Sequence, residues 1–195
     1  KPNDNYTGHI TKFHLESFIS SQFSGAKTAE IDLKKTYITP CKTDLSNGQK
    51  ILNLAGIDTK QKIVIIHPGS GGAAKRWHID NFYMLAEELR EKNISVVFLL
   101  GPAEMETFKS KTIDALGAIS PVLCDMSLTE TFQVISSSNC FIGNDSGITH
   151  IAAAAGVATI ACFCATNSTH YRPVGPNVSI FKFDASDFAL PCTQK

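Results

Sequence analysis

The sequence predicts an α/β protein built on a Rossmann-like, doubly wound parallel sheet. Three observations lead to this fold class. From residue 62 onward, short β-branched runs alternate with segments of helical periodicity, the runs are apolar throughout, and polar or glycine-rich loops follow several of them. Continuously apolar runs are typical of parallel strands that are buried on both faces. Strands that alternate with helices form right-handed βαβ units, which place helices on both sides of one sheet.

The predicted strands have the sequences IVIIH, SVVFLL, CFIG and ATIACF, with shorter candidates at PVLC and VSIFKF. Helices are predicted between them at about 79–92, 103–116 and 128–138, and another is predicted to begin near Gly147. The first of these has a clear apolar face, formed by Phe82, Leu85, Ala86 and Leu89. The domain predicted from this pattern covers residues 61–195.

Residues 1–60 are predicted to form a helical linker segment rather than a domain. Near the start, apolar residues recur at helical spacing, namely Ile10, Phe13, Phe18, Ile19 and Phe23. Residues 26–43 are irregular and polar, which is typical of a linker. A short helix is then predicted from Leu45 to Ala55, ended by Gly56.

Composition excludes several classes of function. Lys+Arg and Asp+Glu are 18 each, so the chain lacks the basic surplus that is typical of nucleic-acid binders. Its six cysteines form no CxxC pair, which argues against a structural zinc site, and no metal or cofactor is predicted. Small buried cysteines favour a reducing compartment, the cytoplasm. The longest apolar stretch, Ile151 to Ala165, is too short to span a membrane.

Ligands of open parallel sheets bind beyond the carboxyl ends of the strands, and three loops are predicted to meet there. The first has the sequence HPGSGGAAKRW. Gly69 and its neighbouring glycines let backbone amides approach an anion, Ser70 adds a hydroxyl, and Lys75 offers a point charge for phosphate. The spacing is neither a P-loop nor a dinucleotide-binding fingerprint. From the residues alone, an anion cradle and a flexible turn with a solvated lysine are equally good interpretations.

The second loop has the sequence GNDSGITH. Asp145 or Ser146 is expected to cap the helix that begins at Gly147, which leaves free amides for an anion. A cap explains one polar residue, but this loop has five: Asn144, Asp145, Ser146, Thr149 and His150. A binding site is therefore favoured, with Asp145 accepting hydrogen bonds from sugar hydroxyls. His150 is either part of this site or a core histidine.

The third loop, GPAEMETF, contains Glu104. A carboxylate at this position either accepts hydrogen bonds from ribose hydroxyls or stabilises the first turn of the following helix. A serine hydrolase is an alternative for the second loop, because DSG after a glycine also occurs at the nucleophile of chymotrypsin-like proteases. The βα pattern does not fit that double barrel, and the GxSxG elbow of α/β hydrolases is absent.

These loops resemble those of a known family. HPGSGGAAKRWHIDNFYMLAEEL and GNDSGITHIAAAAGVATIACF are similar to the lysine loop and the NDSGxxH segment of the heptosyltransferases of lipopolysaccharide core synthesis, glycosyltransferase family nine. The resemblance covers most of the chain from about residue 62, and HITKFHLESF is similar to the helix that joins the two family domains. It implies the C-terminal, donor-binding half of a glycosyltransferase-B fold.

The resemblance also implies a role for each residue of the site. The residues implied to surround the diphosphate are Gly69, Ser70, Lys75, Ser146, Gly147 and His150. Glu104 is implied to hold the ribose, Met126 to lie against the adenine, and Asp145 to bind the heptose hydroxyls. Thr149 and His78 depart from the residues common in the family, which leaves the donor sugar open.

Family members transfer heptose from an ADP-sugar donor to a lipid-linked inner-core oligosaccharide, with inversion and without a required metal. Their general base, an aspartate, and their acceptor site belong to an N-terminal domain, so no catalytic residue is expected within these 195 residues. The chain is therefore expected to bind the donor without transferring it. The implied location is the cytoplasm, peripheral to the inner membrane through that other domain. The alternative is a nucleotide-sugar-binding module without transferase activity.

Overall fold

The computed structural model describes residues 7–14, 17 and 32–184. It confirms the predicted fold class, because six strands form one all-parallel sheet in the order β3-β2-β1-β4-β5-β6. The strands are β1 Ile63–His67, β2 Ser95–Leu99, β3 Val122–Leu123, β4 Cys140–Asn144, β5 Ala158–Phe163 and β6 Val178–Lys182. The order reverses between β1 and β4, and the carboxyl ends at such a switch point open into a crevice.

The α-helices of residues 32–184 are α1 Lys42–Leu54, α2 Ile79–Glu91, α3 Pro102–Thr107, α4 Ser110–Ile119, α5 Leu128–Ser136, α6 Gly147–Ala154 and α7 Ser168–Tyr171. The single helix predicted over 103–116 is wrong, because α3 and α4 are separate. Phe108 and Lys109 between them are extended, with ψ of 134° and 149°. The break lets the Phe108 side chain pack on the core below.

Two apolar clusters lie on the two faces of the sheet. Ile63 and Ile65 of β1 belong to one cluster, and Val64 and Ile66 belong to the other. Successive side chains of a strand point to opposite faces, so a strand with two buried faces is apolar at every position. This burial explains the uninterrupted apolar runs of the sequence and fixes the strands whose ends carry the loops of the site.

The helix α1 precedes the predicted domain boundary at residue 61 and packs against α5. Leu52 is fully buried in the cluster on that face of the sheet. The approach is close, since a Cβ atom at Gly48 would meet the backbone oxygen of Gln133. The boundary at residue 61 stays a prediction. Of the helix predicted near the start, residues 10–14 and 17 are helical, and the rest lies outside the described residues.

None of the helices within residues 32–184 or the short described segment before them has the length and apolar character needed to cross a bilayer.

Candidate functional site

The loops after β1 and β4 meet at the carboxyl edge of the sheet, as the strand-end rule predicts. Lys75 Nζ lies 3.0 Å from Asp145 Oδ2 and donates a hydrogen bond to it. The Ser70 hydroxyl donates to the backbone oxygen of Asp145 at 2.9 Å. Residues that are far apart in the sequence thus form one polar cluster beside the switch point of the sheet.

Asn144, the last residue of β4, holds the glycine loop in place. It is fully buried, and its Oδ1 accepts a hydrogen bond from the Trp77 backbone amide at 2.8 Å. Its Nδ2 donates to the Pro68 oxygen at 2.8 Å and lies 3.4 Å from the Gly69 oxygen. One side chain therefore joins both ends of the loop. The sequence showed Asn144 only as one of several polar residues, and this bridging role was not predicted.

The surface above the loop is open. Cβ atoms built at Gly71, Gly72 and Gly147 would meet no heavy atom within 4 Å. A single 3₁₀ turn, Ala73–Lys75, carries the lysine to this surface, where its side chain is 38% exposed. Backbone amides, a lysine and free space are together suited to an anion such as a diphosphate.

The Asp145 carboxylate accepts hydrogen bonds from side chains of two different loops. Its carboxylate is 8% exposed, and Oδ2 accepts a second hydrogen bond, from Thr166 Oγ1 at 2.7 Å. His150 Nε2 lies 4.0 Å from Oδ1, longer than a hydrogen bond. Burial alone would raise the pKa of this carboxyl, but the nearby His150 ring, the hydrogen bonds from Thr166 and Lys75, and the positive charge of Lys75 together lower it to about 2. Asp145 is therefore ionised at neutral pH and can only accept hydrogen bonds.

This depressed pKa predicts an acid-dependent loss of stability. The carboxyl has a reference pKa of 3.8 and a folded pKa of about 2, so its contribution is complete above pH 4 and is lost as the pH falls through 2. The free energy of unfolding should fall by on the order of 2 kcal/mol more for the wild type than for Asp145→Asn between about pH 5 and pH 2. Urea unfolding at several pH values measures this difference.

The control for this measurement is Asp114→Asn, because Asp114 is exposed on α4. Its pH profile should follow that of the wild type. An Asp145→Asn profile that also follows the wild type would contradict the ionised, paired state of Asp145.

The start of α6 differs from the expected cap. Ser146 occupies the N-cap position, but neither it nor Asp145 supplies a side-chain cap. Instead the Ser146 hydroxyl pairs with Thr149 Oγ1 at 3.0 Å, and Thr149 donates to the Asn144 backbone oxygen at 2.6 Å. Among the described residues, no side chain caps the first-turn amides that begin at Gly147, and free amides at the start of a helix suit an anion. Ser146 is paired with a threonine rather than a histidine, so the serine hydrolase alternative is not supported.

Glu104 lies next to the glycine loop rather than in the open. It is 5% exposed, and its Oε2 accepts a hydrogen bond from the Gly101 amide at 2.9 Å. Gly69 packs directly on it, since a Cβ there would collide with the carboxylate. In this geometry Glu104 stabilises the start of α3, and its contact with a ribose stays a prediction.

A cavity of about 270 Å³ opens at Gly101, whose amide Glu104 binds, between the ends of β1 and β2 and the helices α5 and α6. Its walls are mainly apolar and include Pro102, Met126, Leu128 and Ile148. Ligand pockets begin at roughly 300 Å³, so the cavity is suited to one flat group such as a nucleobase. Met126, for which the resemblance implies an adenine contact, lines this cavity, and the contact itself stays a prediction.

His67 also lines this cavity and was not predicted as a site residue. Its Nδ1 lies 2.9 Å from the Leu99 backbone oxygen. A carbonyl only accepts hydrogen bonds, so Nδ1 carries the proton. Burial lowers the pKa of the imidazole despite this bond, so His67 is neutral. The apolar cavity is thus bordered by an uncharged ring.

A second cavity, of about 290 Å³, lies at the opposite edge of the sheet near Arg90, Asn93 and Ser120. None of the residues predicted for the site lines it. The polar cluster and the apolar cavity at the carboxyl edge therefore define the candidate site.

The chain matches the family described as glycosyltransferase family 9 (heptosyltransferase) over residues 6–194. It is 30% identical over 161 residues to lipooligosaccharide heptosyltransferase 2 of Campylobacter jejuni, which covers 77% of this chain and 44% of that protein. The glycosyl transferase family 9 structure from Veillonella parvula matches with a TM-score of 0.71 and 18% identity, over 96% of this chain and 54% of that one.

The structure of E. coli heptosyltransferase WaaC with ADP matches with a TM-score of 0.64 and 19% identity, over 93% of this chain and 52% of that one. These two structures share the fold of the chain. The chain spans less than half the length, 44%, of the Campylobacter relative. On the extent of the family match, the chain belongs to glycosyltransferase family 9, the heptosyltransferase family.

Proposed function

We propose that this chain is the donor-binding domain of a glycosyltransferase that moves heptose, or a related sugar, from ADP-heptose to a lipopolysaccharide core acceptor. The observation that carries the proposal is the meeting of Lys75, Asp145 and the open glycine loop at the carboxyl edge of the sheet, beside an apolar cavity. A related structure from E. coli is that of a heptosyltransferase with ADP, which supports an adenine nucleotide as the ligand.

In this proposal the nucleotide lies across the switch point of the sheet. The adenine enters the apolar cavity against Met126, and the ribose lies near Glu104. The diphosphate lies over the glycine loop and the first turn of α6. There Lys75, Ser70 and backbone amides stabilise the charge that develops on the departing diphosphate. The proposal requires no cofactor.

Asp145 is proposed to contact the donor sugar. Its carboxylate is ionised, and within the described residues Oδ1 accepts no hydrogen bond, since His150 Nε2 lies 4.0 Å from it. A carboxylate oxygen with free lone pairs accepts hydrogen bonds from sugar hydroxyls.

The transfer itself is proposed to be a direct displacement at the anomeric carbon with inversion. The general base and the site for the lipid-linked acceptor are proposed to belong to another domain, which would also contact the inner membrane. Accordingly, residues 1–195 are expected to bind the donor and to transfer no sugar.

Calorimetric titration of the chain with ADP, UDP, GDP and their sugars tests the proposal. ADP and ADP-heptose should bind, and the other nucleotides should bind more weakly. The Asp145→Ala variant should lose about tenfold in affinity for ADP-heptose while its affinity for ADP changes by less than about twofold, because the lost partners are sugar hydroxyls. Asp114→Ala is the matched control. Failure to bind any of these ligands, or a preference for UDP, would contradict the proposal.

A further inference from the structure

The loop that follows β5 reaches the candidate site through one side chain. Thr166 Oγ1 donates a hydrogen bond to Asp145 Oδ2 at 2.7 Å, and Lys75 Nζ donates to the same oxygen at 3.0 Å. Two donors therefore share Oδ2, one charged and one neutral. Oδ1 faces His150 Nε2 at 4.0 Å and accepts no hydrogen bond at that distance.

The two donors differ in how freely they can leave. The Lys75 side chain is long, is 38% exposed, and follows a glycine-rich loop, so its ammonium group can turn toward a new anion. The Thr166 hydroxyl is attached directly to Cβ, and its position follows the backbone. A diphosphate carries more negative charge than one carboxylate, so it competes for the ammonium group of Lys75 but leaves the neutral Thr166 donor in place.

We propose that Thr166 is a positioning residue for the donor sugar, holding Asp145 Oδ2 when the diphosphate has drawn Lys75 away. Oδ1 then stays directed at the sugar hydroxyls. This inference rests on the proposed function of the site, in which Lys75 contacts the diphosphate and Asp145 the sugar.

The Thr166 hydroxyl is not needed to shape its own loop. The following residue, Asn167, caps α7 by accepting a hydrogen bond from the Thr169 amide at 2.9 Å. Ser168 is buried beside it. Replacing Thr166 by valine keeps the size and the branched Cβ and removes only the hydroxyl, so the chain should fold as before. Thr169→Val is a matched control, since Thr169 is exposed in the same segment.

The test measures ADP and ADP-heptose affinities for the full 195-residue chain by calorimetry. Thr166→Val should weaken ADP-heptose binding by about fivefold to tenfold, which is less than the loss of a direct charged contact because Thr166 acts on the sugar only through Asp145, and should change ADP binding by less than about twofold. Thr166→Ser should restore ADP-heptose binding to within about twofold of the wild type. Thr169→Val should bind both ligands like the wild type.

A second readout needs no ligand. In the free chain the Thr166 hydroxyl helps to lower the pKa of the Asp145 carboxyl, so an NMR titration of that carboxyl should show a higher pKa in Thr166→Val. Thr166→Ser and Thr169→Val should keep the pKa of the wild type.

The outcomes separate this inference from the proposed function. If the wild-type chain and Thr166→Val bind ADP-heptose equally well, the positioning role of Thr166 is wrong and the proposed function stands. Equal weakening of ADP and ADP-heptose in Thr166→Val, without rescue by serine, would overturn it as well, because the residue would then only support the loop. Wild-type chain that binds neither ligand would overturn the proposed function and the inference with it.

Discussion

Replacing Lys75 with alanine should weaken ADP binding by roughly one to two decades. The loss of one charge-assisted contact with phosphate costs about 1.5–3 kcal/mol, and about 1.4 kcal/mol corresponds to a factor of ten. The structure supports this position for the contact, because Lys75 Nζ already lies 3.0 Å from a carboxylate at the edge of the glycine loop. An ammonium group that pairs with one anion beside open space is well placed to bind a second anion, such as a phosphate. Calorimetry with ADP measures the change.

Arg76 provides the matched control, since it is also a cation and directly follows the 3₁₀ turn that carries Lys75. Neighbouring residues point in different directions, so only one of the two is expected to face the site. Arg76→Ala should keep ADP affinity within about twofold of the wild type. If Lys75→Ala binds normally and Arg76→Ala does not, the phosphate contact belongs to Arg76. If neither variant is affected, the glycine loop is only a turn and the donor site lies elsewhere.

The sheet was predictable from sequence because burial acts on every residue of its strands. IVIIH and ATIACF contain almost no polar residue, and such runs are compatible with only a few structures. The parallel βαβ rule then places the carboxyl ends of these strands, and the loops that follow them, along one edge. This rule predicts that Lys75 and Asp145 lie close together, and the structure gives them a direct contact.

The partners of individual polar side chains were not predictable in the same way. Ser146 has the side chain and the position that are typical of a helix cap, yet its hydroxyl pairs with Thr149. Thr166 contacts Asp145 across 21 residues. Hydrogen bonds of this kind depend on ångström-level distances between loops, and periodicity carries no information about them. The one available signal was location, because Ser146 and Thr166 each lie within three residues of the end of a buried strand.

Asn144→Ala should have the largest effect on stability and should also impair ADP binding. Removing its amide leaves the Trp77 N–H and the Pro68 carbonyl without their partners and leaves a gap at a fully buried position. Each unpaired buried group costs about 1–3 kcal/mol, so the free energy of unfolding should fall by about 3 kcal/mol. The two ends of the glycine loop are then no longer joined. ADP must order the loop when it binds, and its affinity should fall at least about tenfold.

Asn139 allows the two effects to be separated. Its side-chain oxygen accepts a hydrogen bond from the Ile63 amide at 2.8 Å, so it also joins the chain around β4 to β1, but at the amino ends of the strands. Asn139→Ala should lower the free energy of unfolding by about 1 kcal/mol and leave ADP binding unchanged, because no loop of the candidate site depends on it. Urea unfolding and calorimetry on both variants make the comparison. If Asn144→Ala is destabilised but binds ADP as the wild type does, the glycine loop is ordered by its own backbone and the Asn144 bridge serves the fold alone.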